Sequence, residues 1–202
     1  MSKRQRLTLP EAKKLWQDFR AGDSCALAKL MQVYYPDLLH WGMRLCPDRE
    51  MVKDSIQDTF LSLWTKRTSL LEVENVRAYL LKSIKTRLLK ELTGKQHQAF
   101  SFELPEGYVF SVEFSADLRL IEEEHEVYQI RRLEQALNQL PERQKEIIYL
   151  RFYEQLDFEQ IADIMHIGRQ PVYNLLYKAL HNLRTYWVAS VFLLGLLGFS
   201  KI

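Results

Sequence analysis

Hydrophobic residues recur every three or four positions along most of this chain, which is the spacing that places them on one face of an α-helix. In the first half, this pattern predicts four amphipathic helices, over about 10–22, 24–45, 49–67 and 76–93. Pro36 lies inside the second helix, and a proline at an interior position removes a backbone hydrogen bond. We therefore expect a kink or a break in that helix.

The helical spacing disappears over 95–118, where aromatic residues are mixed with Ser, Pro, Gly and Glu. We interpret this stretch as a linker with hydrophobic anchor points. Alternation near Val112 leaves a short strand open as an alternative. Helical spacing resumes near Asp117 and continues to Leu140-Pro141.

A helix-turn-helix is predicted near the C-terminus. Asp157 is placed to cap a short helix, a tight turn follows over 166–168, and a second helix runs over about 169–184. One face of this second helix is apolar, with Val172, Leu176, Ala179, Leu180 and Leu183. The opposite face carries polar and aromatic groups suited to base edges and phosphates, namely Gln170, Tyr173, Asn174, Tyr177, Lys178 and His181. These two faces are what a recognition helix requires.

Composition supports an all-α fold of one or two domains. Good helix formers dominate, whereas 202 residues include only 7 Gly and 6 Pro. Cys25 and Cys46 lack the spacing of a zinc site, which favours free thiols in a reducing compartment. The basic N-terminus has no apolar run after it, so we expect a cytoplasmic protein.

Charge divides the chain into segments. Residues 1–95 hold 18 basic and 11 acidic side chains (net +7), residues 96–130 hold 1 and 8 (net −7), and residues 131–202 hold 9 and 7 (net +2). We therefore predict two helical domains, 1–95 and 131–187, joined by an acidic linker over 96–130. The basic domains suit contact with nucleic acid phosphates.

A final apolar tail is assigned to 188–202. Its apolar run from Val188 to Phe199 is 12 residues long, whereas crossing a bilayer takes about 20. We favour a helix that docks on the second domain or associates with another copy, and we do not expect membrane contact.

Several motifs occur in a fixed order along the chain. The first half contains Asp54-Ser55-Ile56-Gln57-Asp58-Thr59-Phe60, then Leu63-Trp64 and Ala78-Tyr79-Leu80. The second half contains Leu137-x-x-Leu140-Pro141, LDFEQI over 156–161 with Ala162, and Lys178-Ala179-Leu180 to Leu183-Arg184. Over about 24–95 and 131–185, this arrangement resembles a bacterial RNA polymerase sigma factor of the sigma-70 family, extracytoplasmic-function (ECF) type. The resemblance implies that the second domain is of the sigma region 4 type.

The resemblance also implies roles for particular residues. Core RNA polymerase would contact one face of the third helix, through Asp54, Gln57, Asp58 and Ser62. The promoter −10 element would meet the basic residues of the fourth helix, Lys82, Lys85, Arg87 and Lys90. The −35 element would meet the recognition helix, through Arg169, Gln170, Tyr173, Asn174, Tyr177 and Lys178.

The remaining expectations follow from the same resemblance. The partners would be core RNA polymerase and promoter DNA, with an anti-sigma factor left open. We expect no enzyme activity, catalytic group, cofactor, metal or small-molecule substrate. The acidic linker would thread the RNA path of the polymerase or fold back on the basic domains.

Several positions depart from the family pattern. Thr86 stands where an Asn is common, His166 where the turn usually has Gly, and Gly168 where Ser usually caps the recognition helix.

The alternative function is that of a helix-turn-helix regulator of the LuxR type, which would not act as a polymerase subunit. That reading fits the second half but leaves the motif around Gln57 unexplained.

Overall fold

The computed structural model describes residues 7–94, 108–113 and 124–198, and in the last range the side chains of 127–187. Within these ranges the regular structure is helical, which confirms the all-α prediction. The α-helices are α1 (Leu9–Arg20), α2 (Ser24–Leu45), α3 (Arg49–Lys66), α4 (Val76–Thr93), α5 (Glu124–Asn138), α6 (Glu142–Ile148), α7 (Phe158–Met165) and α8 (Arg169–Gly198). The chain forms two compact units, one built on α1–α4 and the other on α5, α6, most of α7, and α8.

Side-chain caps set where the helices of the first unit begin. Thr8 and Glu11 form a capping box at α1, because each side chain accepts a hydrogen bond from the backbone of the other. Asp23, Asp48 and Asn75 cap α2, α3 and α4, each with a side-chain oxygen that accepts a hydrogen bond from a backbone N–H of the first turn. The helix bounds therefore lie within one or two residues of those predicted.

The core of the first unit is organised around α2. Trp41 on this helix is completely buried, and its Nε1 donates a hydrogen bond to the Leu81 carbonyl oxygen of α4 at 3.1 Å. Pro36 does not break α2, contrary to one of the two outcomes expected. Leu30 before it and Leu38 after it are both buried, so packing on each side of the proline compensates for the lost backbone hydrogen bond.

Helices α2 and α3 approach each other closely at Gly42. A Cβ atom built on Gly42 would lie 2.4 Å from Cγ1 of Val52, a distance that real Cβ contacts essentially never show. Val52 is itself completely buried on α3. The glycine therefore sets how closely these two helices can pack.

Part of the linker packs on the second unit. Phe110 and Val112 are buried and act as hydrophobic anchor points, whereas Val109 is 56% exposed. The Phe110 ring meets Tyr149 edge-on at 5.6 Å between centroids, and Asn138 Nδ2 donates a hydrogen bond to the Val112 carbonyl oxygen at 3.0 Å. The described residues 108–113 form no strand. Residues 95–107 and 114–123, which include Asp117, lie outside the described part of the chain.

The recognition helix is longer than predicted. We expected α8 to end near Arg184 and a separate tail to follow, but α8 continues as one helix to Gly198. No glycine or proline occurs between Pro171 and Gly195, so nothing in this stretch of sequence stops the helix. None of the helices in the described residues combines the length and apolar character that a membrane crossing needs.

The close approach at Gly42 leads to a stability prediction. Gly→Ala in a helix interior usually stabilises a protein by up to about 1 kcal/mol. Gly42→Ala should instead lower the free energy of unfolding by about 1–3 kcal/mol, because the new methyl group overlaps Val52. Chemical denaturation of the full chain measures this change.

The double variant Gly42→Ala with Val52→Ala provides the control. Because Val52→Ala removes the overlapping methyl group, the double variant should lose less stability than the sum of the two single variants. A Gly42→Ala protein as stable as the parent would contradict the proposed contact.

Candidate nucleic-acid and protein interfaces

Helix α3 presents a polar face to solvent. Asp54, Gln57 and Asp58 are exposed and Ser62 is partly exposed, whereas Ile56 and Phe60 are buried on the other side. The offsets of 3, 4 and 8 residues place the four polar groups along one face. The structure therefore groups the four residues that were predicted to contact a protein partner.

A leucine that sequence reasoning missed lies on the same face. Leu61 follows Gln57 by four residues and is 64% exposed. An apolar side chain ringed by polar groups is the usual make-up of the centre of a protein interface. The signal was present in the sequence, because the buried stripe of α3 passes through Phe60 and Leu63 and leaves Leu61 outside it.

The basic residues of α4 do not form a single exposed face. Lys90 is exposed and Lys82 is partly exposed. Lys85 was predicted to contact DNA, but its side chain is only 1% exposed. Residue 85 lies on the buried stripe between Leu81 and Leu88, and its ammonium group lies 5.9 Å from the centroid of the Tyr108 ring. Lys85 therefore does not supply a surface charge here.

Arg87, also predicted to contact DNA, instead forms ion pairs within the first unit. Its Nη1 lies 2.8 Å from Oδ2 of Asp58 on α3 and 3.7 Å from Oε1 of Glu91 on α4. Glu91 also accepts a hydrogen bond from the Ser55 hydroxyl at 2.9 Å. The structure thus joins a predicted DNA contact to a predicted protein contact, 29 residues apart in sequence.

The helix-turn-helix is stabilised at both sides of its turn. The backbone N–H groups of Glu159 and Gln160 donate to Asp157 Oδ1 at 2.9 Å, which caps α7 as predicted. His166 adopts a left-handed backbone with φ of +52°, a conformation that His tolerates better than most residues. Gly168 precedes α8 and accepts a hydrogen bond from Val172 through its carbonyl oxygen at 3.2 Å.

The exposed face of α8 carries every residue predicted to read DNA. Val172, Leu176 and Ala179 are buried on the opposite side. The exposed residues are Arg169, Gln170, Tyr173, Asn174, Tyr177 and Lys178. Leu180 was expected in the apolar stripe but is 42% exposed, since it follows the exposed Tyr177 by three residues.

Contacts among these residues restrict some of them. Tyr173 stacks on Phe158 of α7, with 4.1 Å between ring centroids. Hydrogen bonding with the Tyr173 side chain raises the pKa of Arg169, and Glu159 and Asp157 contribute in the same direction. Tyr177 is 75% exposed.

Family models match both units. Residues 30–98 match the model for Sigma-70 region 2, and residues 130–183 match the model for Sigma-70, region 4. The first match contains the polar face of α3 and the basic residues of α4, and the second contains the helix-turn-helix. A search of curated proteins finds no match.

Two of the solved structures to which this chain is similar contain a protein in complex with a partner. The structure of CnrH in complex with the cytosolic domain of CnrY is 16% identical and covers 88% of this chain and 97% of that one, with a TM-score of 0.56. RpoE of Bartonella quintana, in a co-crystal with the anti-sigma factor NepR, is 16% identical and covers 79% and 94%, with a TM-score of 0.49. Because regions 2 and 4 both occur in this chain, in that order, the protein belongs to the sigma-70 family.

Proposed function

We propose that this sigma factor binds core RNA polymerase through α3, recognises promoter −10 and −35 elements through α4 and α8, and promotes strand separation. The observation that carries the proposal is that α3 and α8 each bury one apolar stripe and expose polar residues to which the family resemblance assigns these contacts. Promoter recognition and strand separation make and break no covalent bond in this chain. Its energy comes from binding alone.

The polymerase contact is assigned to the exposed face of α3. Asp54, Gln57 and Asp58 give this face acceptor groups and negative charge, which suit a partner surface rich in Lys and Arg. Leu61 gives it an apolar centre that becomes buried on docking. Because Leu61 is 64% exposed in the free chain, it contributes to binding and little to folding.

The −10 contact is assigned to α4, although fewer of its basic side chains are available to DNA than the sequence predicted. Lys90 is exposed and can neutralise a phosphate, whereas Lys85 is buried, and Arg87 and Lys82 form ion pairs with Asp58 and Asp163. Separating each base step costs a few kcal/mol, which capture of flipped bases and backbone must offset. Thr86 is partly exposed between these residues and would replace the amide of the common Asn with a shorter hydroxyl.

The −35 contact is assigned to the exposed face of α8. Arg169 lies at the N-terminus of the helix, where free backbone N–H groups also attract phosphate. Asn174 can pair with both hydrogen-bonding atoms on the exposed edge of an adenine, and Lys178 suits a phosphate.

An anti-sigma partner is proposed as well. The fold of this chain resembles CnrH, whose structure contains the cytosolic domain of CnrY. A partner that covers the surfaces assigned to core polymerase would compete with it for this chain. Co-purification of the full chain from its source cells, with and without added core polymerase, tests for a protein that core polymerase displaces.

In vitro transcription tests the proposed function directly. Core polymerase with this chain should initiate at defined sites on genomic fragments, and core polymerase alone should not. A helix-turn-helix regulator of the LuxR type would instead bind DNA without supporting initiation by the core enzyme. Failure to associate with core polymerase would contradict the proposal.

The exposed leucine on α3 generates a second prediction. Leu61→Ala should weaken polymerase binding by about 1–2 kcal/mol, roughly five- to thirtyfold, because it removes the apolar centre of the interface. Its thermal stability should stay close to that of the parent, since the side chain is 64% exposed. A binding titration with fluorescently labelled chain measures the affinity.

Leu9 on α1 offers a matched control for that substitution. It is similarly exposed, at 59%, and lies outside the region 2 match. Leu9→Ala should leave the polymerase affinity unchanged. Equal losses for the two variants would show that the effect is not local to α3.

An exposed lysine and a buried lysine of α4 should differ in their effect on the salt dependence of DNA binding. Lys90→Gln should reduce the slope of log affinity against log salt by about one phosphate contact for forked promoter DNA bound by the holoenzyme. Lys85→Met should leave that slope unchanged, because the buried ammonium group cannot reach a phosphate. A similar fall in slope for both variants would contradict the assignment.

Substitutions of Asn174 and Lys178 should affect recognition of the −35 element in different ways. Asn174→Ala should cost about 1–3 kcal/mol on the preferred sequence and relax specificity at one base pair. Lys178→Gln should weaken all sequences to a similar extent, because a phosphate contact carries no base information. Affinities for the preferred duplex and for single-base variants of it measure both effects, and a position-specific loss in Lys178→Gln would reverse the assignment.

A further inference from the structure

Phe158 contacts the recognition helix although it belongs to the helix before it. It is the first residue of α7 and follows the capping residue Asp157. Its ring stacks on Tyr173 of α8, with centroids 4.1 Å apart and an interplanar angle of 29°. This contact lies at the surface, since Tyr173 is 39% exposed and Phe158 is half-buried.

A third side chain holds Phe158 in turn. The guanidinium carbon of Arg151 lies 5.0 Å from the centroid of the Phe158 ring, within the range of a cation–π contact. Arg151 is itself fixed, because its Nη1 donates a hydrogen bond to the Leu156 carbonyl oxygen at 2.8 Å. Arg151, Phe158 and Tyr173 therefore form a chain of contacts from the segment before α7 to the exposed face of α8.

The stack changes what Tyr173 can do at the surface. One ring face is covered by Phe158 and the hydroxyl group interacts with Arg169, which leaves the ring edge available to a ligand. Tyr177 lies one turn further along α8 and is 75% exposed. An immobilised side chain loses less conformational freedom on binding, so Tyr173 is pre-organised in a way that Tyr177 is not.

We propose that Phe158 is a positioning residue for −35 recognition, which fixes the orientation of Tyr173 and so sets specificity at the base pair that Tyr173 faces. This inference rests on the proposed function of α8. Phe158 acts through Tyr173 and needs no contact with DNA of its own. A thymine methyl group is a suitable target for the exposed ring edge, since apolar contact is how proteins read that group.

A purely structural role for Phe158 predicts a different outcome. If the ring only stabilised the fold, its loss would lower thermal stability and weaken binding to all duplexes in parallel. A positioning role predicts that affinity for the preferred duplex falls while affinity for an unrelated duplex is retained. The ratio of the two affinities therefore distinguishes the roles.

The experiment uses the full chain, alone and assembled with core polymerase. The parent protein first selects a preferred duplex from a random-sequence library. The affinities of Phe158→Leu and Phe158→Tyr are then measured for that duplex and for a scrambled duplex of equal length. Phe158→Leu keeps an apolar side chain without a ring, whereas Phe158→Tyr keeps the ring.

We expect Phe158→Leu to lower the ratio of preferred to scrambled affinity by about five- to tenfold, with the scrambled affinity changed less than twofold. Repeated selection with this variant should show lost preference at one or two positions. Phe158→Tyr should restore the parental ratio. Tyr153→Leu is the matched control, because it removes another aromatic stack of the same unit, with Tyr149, that contains no α8 residue; its ratio should equal the parental one.

Two results would overturn the inference while leaving DNA recognition by α8 intact. One is an unchanged ratio in Phe158→Leu, and the other is a ratio that Phe158→Tyr fails to restore. If the parent protein selects no preferred sequence, either alone or assembled with core polymerase, the proposed −35 recognition itself is contradicted, and this inference with it.

Discussion

Burial of one apolar stripe on each helix is the constraint on which the rest of the structure depends. In α3 and α8 the stripe is narrow, so the opposite face of the same helix remains free for a partner. The position of the stripe decides which residues are available. Leu61 is exposed and Lys85 is buried for this one reason, although their side chains would suggest the reverse.

The first unit links its two proposed surfaces through charge. Asp58 lies on the face assigned to polymerase, and its partner Arg87 lies on the helix assigned to DNA. The pair is partly exposed, so it contributes little to stability, typically about 0–1 kcal/mol. Because of this pair, a charged group that docks on Asp58 would change the electrostatic surroundings of Arg87 on α4.

Local signals explain what the sequence could predict. Asp23, Asp48 and Asn75 cap their helices through contacts two or three residues away, so the helix starts could be derived from sequence alone. The exposed faces of α3 and α8 follow from periodicity in the same way. These features need no knowledge of the tertiary fold.

Features that depend on distant residues could not be predicted. Arg87 meets Asp58 across 29 positions, and Tyr173 meets Phe158 of another helix. Lys85 was wrongly predicted to be exposed, because a charged residue is normally assigned to the surface when its neighbours in the fold are unknown. The prediction ended α8 near Arg184 because the sequence becomes strongly apolar soon after it. The helix continues to Gly198 because no glycine or proline occurs between Pro171 and Gly195 to stop it.

Site-specific photo-crosslinking in one initiation complex tests the central claim most directly, namely that two exposed helical faces act together. A photoreactive amino acid at position 61 should crosslink to core polymerase, and one at position 177 should crosslink to promoter DNA upstream of the melted region. The same group at position 9 should crosslink to neither. Crosslinks to DNA from position 177 without any crosslink from position 61 to polymerase would contradict the account.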